Sequence, residues 1–121
     1  MDVRKVNLAE KFGEFQEQWS PKIAGEVNES YVKLVKFQGD FVWHRHEDED
    51  EMFLVAKGRF TMRFRDREVV LEENEFLIVP KGMEHCPVAT EEAHVLLFEP
   101  KTTLNTGNVR NERTREVLDR I

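Results

Sequence analysis

Residues 59–65 alternate strictly between apolar and polar side chains. Phe60, Met62 and Phe64 fall on one face of a predicted β-strand, because successive side chains of a strand point to opposite faces. Arginines and a threonine occupy the other face. This pattern is typical of an antiparallel strand that is buried on one side. We therefore expect the three apolar side chains to face inward and to line a cavity.

Similar short runs recur along the chain, with polar turns between them. We predict strands at residues 23–27, 31–37, 41–46, 52–56, 59–65, 68–71, 76–79, 85–88 and 94–99. Many short strands at even spacing indicate an all-β sandwich or barrel. The chain has 121 residues and is 40% hydrophobic, so we expect one domain over residues 1–121 with a barrel core at about 23–99.

The two ends of the chain depart from this pattern. Asn7 can cap a short helix in which Phe12 and Phe15 recur at helical spacing. At the other end, the tail at 104–121 contains a helix-compatible stretch at 112–121. We expect a short helix at each end, the second docked against the barrel or against another subunit.

Charge and cysteine content argue against several classes of protein. The net charge of −6 disfavours broad binding to nucleic acids or to anionic membranes, because both attract basic surfaces. No apolar run reaches the roughly 18 residues of a membrane span, and no secretory signal pattern is present. The single Cys86 excludes an internal disulfide. We expect a cytoplasmic protein that binds neither nucleic acid nor membrane.

Two histidines and a glutamate lie close together in the sequence. His44 and His46 are two residues apart, so on a strand both imidazoles would share a face, with Cα atoms about 7 Å apart. Glu51 opens the next predicted strand, where Phe53 shares its face and is expected to point inward. Such a group can hold one metal ion, and His85 could supply a fourth ligand.

The spacing of these residues resembles the two motifs of the cupin family. The first motif is a glycine, H-x-H, four residues, E, six residues and G, represented here by Gly39, His44, His46, Glu51 and Gly58. The second is a glycine, five residues, P-x-G, two residues and H, represented here by Asn74, Pro80, Gly82 and His85. Gly39 lies one residue closer to the first histidine than is usual, and Asn74 replaces the leading glycine.

The resemblance covers most of the chain and is greatest to small single-domain cupins of the cupin-2 type, which are often labelled mannose-6-phosphate-isomerase-like. It implies a cupin double-stranded β-helix, that is, a jelly-roll barrel. It also implies that one divalent metal ion is bound inside the barrel by His44, His46, Glu51 and His85. Three imidazoles and a carboxylate suit Fe, Mn, Zn, Ni or Cu.

Three kinds of function fit this resemblance. In the first, the protein is a small metalloenzyme that acts on a small, partly hydrophobic molecule, by dioxygenase-like or Lewis-acid chemistry. In the second, it binds or senses such a molecule without turnover. In the third, the metal only stabilises the barrel. A sugar-phosphate isomerase is less expected, because the arginines of residues 59–65 point away from the predicted cavity.

Two further expectations concern the edge of the core and the surface. His94 shares a strand face with Leu96 and Phe98, so it either packs at the edge of the core or lines the cavity. We also expect a homodimer, because a second subunit could cover open sheet edges and outer aromatics such as Trp19 and Trp43. The resemblance to cupins implies the same association.

Overall fold

The computed structural model describes residues 3–121. It contains one short helix, α1 (Leu8–Phe12), followed by seven β-strands. The strands are β1 (Lys22–Val27), β2 (Ser30–Asp40), β3 (Glu51–Lys57), β4 (Phe60–Arg63), β5 (Glu68–Leu71), β6 (Phe76–Val79) and β7 (Cys86–Pro100). The pairings between them are antiparallel, which confirms the all-β class. No helix in the described range is long and apolar enough to cross a membrane.

Strand β7 connects the two halves of the sheet. Its C-terminal part lies between β2 and β3, in the strand order β1-β2-β7-β3-β6. Its N-terminal part pairs with β4, which pairs in turn with β5. We predicted two strands here, at 85–88 and 94–99, and the structure has one. An irregularity in the pairing with β2 absorbs the polar residues between them, so the strand continues.

The apolar faces of the alternating strands form one core. Phe60 is 2% exposed and Met62 is fully buried, as the alternation in residues 59–65 predicts. The remaining core residues are Trp19, Val35, Phe37, Phe53, Val55, Phe64, Leu71, Val79, Ala89, Ala93, Val95 and Leu97. This core supports the first residues of β3 and β7, beside which the site described below lies.

Residues 41–46, which we predicted as a strand, have no regular strand pairing. Only His44 forms a β-bridge, and its partner is His85. The Arg45 N–H donates to Asn108 Oδ1 at 2.8 Å, and the Asn108 N–H donates to the Arg45 carbonyl at 3.0 Å. Because distant parts of the chain satisfy these main-chain groups, the segment needs no neighbouring strand.

The C-terminal helix that we predicted at 112–121 does not form. The Ile23 N–H donates to the Asp119 carbonyl at 2.9 Å, and the Ile121 N–H donates to the Ile23 carbonyl at 3.0 Å. A helix would bond these groups within itself, whereas here they extend the edge of β1. Val117 is 90% exposed, so this stretch has no buried apolar face at that position. The tail is therefore docked on the barrel without being helical.

The N-terminal helix is confirmed, but it ends at Phe12 and does not reach Phe15. Asn7 caps it as predicted, since its side-chain oxygen accepts a hydrogen bond from the Glu10 N–H at 2.9 Å. Phe12 and Phe15 are buried against Leu34 in a second apolar cluster, which is separate from the main core. The helix therefore covers part of the outer face of the sheet at β2.

Candidate metal centre

The structure brings four predicted side chains together: His44, His46, Glu51 and His85, called the His–Glu group below. All four are buried, and one possible ligand atom from each lies within 4.8 Å of the others. Glu51 Oε1 is 3.2 Å from His46 Nε2 and 3.4 Å from His85 Nε2. The group is therefore compact enough to surround a single ion.

Main-chain contacts hold the histidines in place. The His44 N–H donates to the His85 carbonyl at 3.0 Å, and the His85 N–H donates to the His44 carbonyl at 2.9 Å. The His46 carbonyl accepts a hydrogen bond from the Gly82 N–H at 2.7 Å. Glu51 is the first residue of β3. Main-chain hydrogen bonds therefore join the segment at 41–46 to the turn before β7 at the site.

The imidazole rings are oriented by the nitrogen that faces away from the group. His44 Nδ1 lies 2.9 Å from the Val42 carbonyl, and His85 Nδ1 lies 3.0 Å from the Met83 carbonyl. Each Nδ1 can therefore carry the proton and donate, which leaves Nε2 as an acceptor for a metal ion. This arrangement is common for histidines that ligate metals.

Several buried atoms of the group have no hydrogen-bond partner in the described chain. These atoms are Nε2 of His46, Nε2 of His85 and Oε1 of Glu51. Leaving buried polar atoms unpaired costs about 1–3 kcal/mol each. Nitrogen and carboxylate lone pairs that converge in this way are the donor set that a divalent transition metal prefers. The residues present therefore fit a metal ion.

Electrostatics keep the group in the protonation state that a metal needs. Burial, followed by repulsion from His85, lowers the pKa of His44 from 6.5 to about 4. Burial raises the pKa of Glu51, but contacts with Glu99, His46 and His85 outweigh it and hold that pKa well below its usual range. At neutral pH the site therefore offers a neutral His44 imidazole and an ionised Glu51 carboxylate.

A buried ion pair beside the group was missed in the sequence. Lys33 Nζ lies 2.6 Å from Glu99 Oε2, and each side chain is 1% exposed. Burial and the nearby negative charge of Glu51 raise the pKa of Glu99 well above its ordinary value. A signal for Glu99 exists in the sequence, because it continues the inward face of Val95 and Leu97 at a period of two.

A narrow cavity opens beside the His–Glu group. Its lining residues are Trp19, Pro21, Val35, Phe37, Phe41, His44, Glu51, Phe53, Leu97 and Asn105. The cavity has about 340 Å³ of empty space, including its opening, but water can occupy only about 30 Å³ of it. Trp19 stacks on Phe37 and Phe41, with ring centres 4.5 and 4.8 Å apart. The wall is therefore largely aromatic.

The predicted lining residues are only partly those observed. Phe53 lines the cavity as expected. Met62 and Phe64 lie in the core, away from the lining, and Phe60 borders a separate surface groove. His94 lies outside the cavity, because its ring stacks on Phe12 at 4.5 Å and its Nε2 contacts Glu92. The alternation that buries Ala93, Val95 and Leu97 turns His94 toward α1.

The C-terminal strap, defined as residues 104–115, crosses over the site. Gly107 has a φ of +55°, and a Cβ there would overlap the Arg45 carbonyl oxygen and lie 3.1 Å from His44 Cδ2. Only glycine tolerates both this backbone conformation and this contact. Asn105, also on the strap, lines the cavity. Sequence patterns did not indicate that the tail closes over the site.

A family model and a curated relative match this chain. A model of the cupin domain, Cupin_2, matches residues 31–99. The uncharacterized protein YdbB of Bacillus subtilis is 39% identical over 80 residues, which cover 65% of this chain and 71% of YdbB.

Two solved structures share the fold. A cupin-2 domain containing protein from Shewanella frigidimarina has a TM-score of 0.78 and 43% identity, over 79% of this chain and 94% of that one. Protein NMB1881 from Neisseria meningitidis has a TM-score of 0.74 and 27% identity, over 81% of this chain and all of that one. Because the matched residues 31–99 make up more than half of the chain and contain the whole His–Glu group, this protein belongs to the cupin family.

Proposed function

We propose that the protein is a small metalloenzyme that acts on a small, partly hydrophobic organic molecule. The observation that carries this proposal is the buried His–Glu group, whose unpaired donor atoms converge beside an aromatic cavity. His44 and Glu51 belong both to the group and to the cavity lining, so a ligand in the cavity reaches the metal directly.

One set of residues would hold the metal, and another would contact the ligand. His44, His46, Glu51 and His85 would bind one divalent ion, which supplies dioxygenase-like or Lewis-acid chemistry when it is bound. Their four donor atoms leave room on an ion that prefers six ligands. Phe37, Phe41 and Phe53 exclude water from the ligand's apolar body.

A second function, metal-dependent binding or sensing without turnover, is supported by the composition of the cavity wall. Among the described lining residues, His44 and Glu51 are the only titratable side chains, and both are assigned to the metal. The cavity therefore offers no separate group for proton transfer. A sugar-phosphate isomerase is disfavoured for the same reason.

Metal content tests the central part of the proposal. Protein purified without a histidine tag should contain close to one equivalent of a divalent metal by mass spectrometry. A His46→Ala, His85→Ala double variant should lose it, whereas His94→Ala should keep it, because His94 packs against Phe12 outside the group. A wild-type protein that takes up no metal on reconstitution would overturn the proposal.

Turnover separates the two candidate functions. The metal-loaded protein would be mixed with small aromatic and diketone compounds, and oxygen uptake and products would be measured. Product formation that is absent from the double variant supports the enzyme. Saturable binding with no product supports the sensing module.

We also propose that two copies of the chain associate through the outer face of β6, β3 and β7. Phe76 and Ile78 are 60% and 56% exposed, and they pair across the sheet with Leu54 and Met52. Phe98 pairs with Met52 on the same face. None of these five residues is charged, so two such faces can meet without opposing like charges despite the net charge of −6. Trp19 takes no part in this face, because it is buried at 6% exposure.

A further inference from the structure

Arg113 lies on the strap at the edge of the aromatic cavity. Its guanidinium carbon is 5.7 Å from the ring centre of Trp19 and 5.9 Å from that of Phe41, and both rings line the cavity. The side chain is only partly exposed. Arg113 does not itself line the cavity in this structure, but its guanidinium contacts two of the rings that do.

The guanidinium of Arg113 has no polar partner in the described chain. The hydrogen bonds of this residue all involve its main-chain atoms, namely the carbonyl bonded to Asn105 and the N–H bonded to Asn111. No carboxylate within residues 3–121 forms an ion pair with it. The aromatic rings attract its charge but accept none of its five N–H groups conventionally. Its donors are therefore free to bind a ligand.

The other polar side chains near the cavity are already engaged. The Asn105 amide donates to the Arg113 carbonyl and accepts from the Arg115 N–H, each at 2.8 Å. Trp19 Nε1 donates to the Gln38 carbonyl at 2.8 Å. Arg113 is thus a cation beside this wall whose N–H groups form no hydrogen bond within the described chain. Asn105 holds the main chain at Arg113 in place.

We propose that Arg113 binds the carboxylate of the molecule that the centre takes, so that this molecule is a small apolar or aromatic monocarboxylate. The inference rests on the proposed function and narrows its ligand class. A guanidinium presents parallel N–H groups that match the two oxygens of a carboxylate. The aromatic wall fits the apolar body of such an acid.

The distances are compatible with one molecule that reaches both Arg113 and the metal. The guanidinium is 5.9 Å from the Phe41 ring centre, which is 5.4 Å from the His44 ring centre. The sum of these steps is an upper limit on the separation of Arg113 from His44. An aromatic acid can span it with its carboxylate on the arginine and its far end at the ion. Because the cavity has little space for such a molecule in this structure, binding requires the strap, which carries both Asn105 and Arg113, to move outward.

Calorimetric titration of the zinc-loaded protein tests this assignment. The probes are benzoate and isobutyrate, each beside its amide, benzamide or isobutyramide, which has nearly the same shape but no charge. We expect at least one acid to bind the wild type about tenfold or more tightly than its amide, as a charge-assisted contact implies. Arg113→Gln should bring that ratio close to one without changing the affinity for the amide.

Two controls make the result specific to this side chain. Arg115→Gln changes a neighbouring arginine that is exposed and hydrogen-bonded to carbonyls of the strap, and it should keep the preference for the acid. Arg113→Lys should keep part of the preference for the acid, because lysine retains the positive charge but lacks the paired N–H groups of the guanidinium. Zinc content, measured for every variant, should be unchanged by substitutions at Arg113.

The outcomes distinguish this inference from the proposed function. If the wild type holds zinc but binds neither acid more tightly than its amide, the Arg113 assignment fails while the metal centre stands. The same holds if Arg113→Gln keeps the preference, since the carboxylate would then bind the metal instead. If the wild type holds no zinc, the proposed function fails and this inference fails with it.

Discussion

His44 and His85 hydrogen-bond to each other through their main chains in both directions, at 3.0 and 2.9 Å. Their rings are consequently held with centres 4.3 Å apart. The main-chain hydrogen bonds therefore bring these two side chains together. The site is therefore organised by the fold, and this relationship has consequences for metal removal.

Chelation should leave the barrel folded. The main core contains none of the four ligand side chains, so its packing does not depend on the ion. We expect the far-ultraviolet circular dichroism spectrum to be unchanged after removal of metal with a chelator, while Tm falls because a bound ligand stabilises the native state. Loss of the β-sheet spectrum on chelation would instead favour a metal whose role is structural.

The metal-free protein should lose stability as the pH falls from about 6.5 to about 4, in part through His44. The pKa of this imidazole is lower in the folded protein, so the unfolded chain binds more protons between these two pH values. The free energy by which the neutral His44 favours folding is therefore present above pH 6.5 and is lost as the pH falls toward 4. A shift of this size corresponds to about 3 kcal/mol. Urea unfolding at several pH values should show a steeper acid loss for the wild type than for His44→Asn. Parallel curves for the two proteins would contradict the assignment.

Lys33 and Glu99 should be strongly coupled in a double-mutant cycle. Removing only the lysine leaves a buried carboxyl without its partner, so Lys33→Met should lower the free energy of unfolding by about 1–3 kcal/mol, or more if the carboxyl stays ionised. Adding Glu99→Leu should restore part of this loss, because the uncompensated group is then gone. Urea denaturation of the single and double variants measures the coupling. Additive effects would show that the pair contributes little.

Gly107→Ala should weaken the contact between the strap and residues 44–45, whereas Gly39→Ala should leave that contact intact. Both glycines have a positive φ, +55° and +81°, so alanine costs about 1–2 kcal/mol of backbone strain at either position. Only at Gly107 would the new Cβ overlap another part of the chain, the Arg45 carbonyl. Hydrogen exchange of the Asn108 amide, which donates to Arg45, should accelerate in the first variant alone. Equal exchange in both variants would argue against a tightly closed strap.

A charge on the proposed association face should separate the two copies. Ile78→Lys places a cation on the apolar face of β6, where an isologous contact would bring two such cations together. Sedimentation velocity should show a dimer for the wild type and a monomer for this variant. Val70→Lys is the matched control, since Val70 is similarly exposed at 55% but lies on β5, away from this face. A monomeric wild type would dismiss the proposed association.

Local pattern in the sequence was sufficient for much of the barrel and for the His–Glu group. The alternation in residues 59–65 predicts which side of β4 is buried, because side-chain direction in a strand depends only on position. The spacing of His44, His46 and Glu51 predicts ligands that can meet, and the structure brings them together with His85. The short helix after Asn7 follows from its cap and its apolar spacing.

Tertiary structure decided everything that depends on partners far along the chain. Residues 41–46 and 112–121 have patterns compatible with a strand and a helix, yet their main-chain groups bond to distant segments instead. Periodicity shows which face a side chain takes, but it cannot show what lies opposite that face. For this reason the strap over the site, the wall formed by Trp19 and the place of Arg113 at its edge are properties of the folded chain.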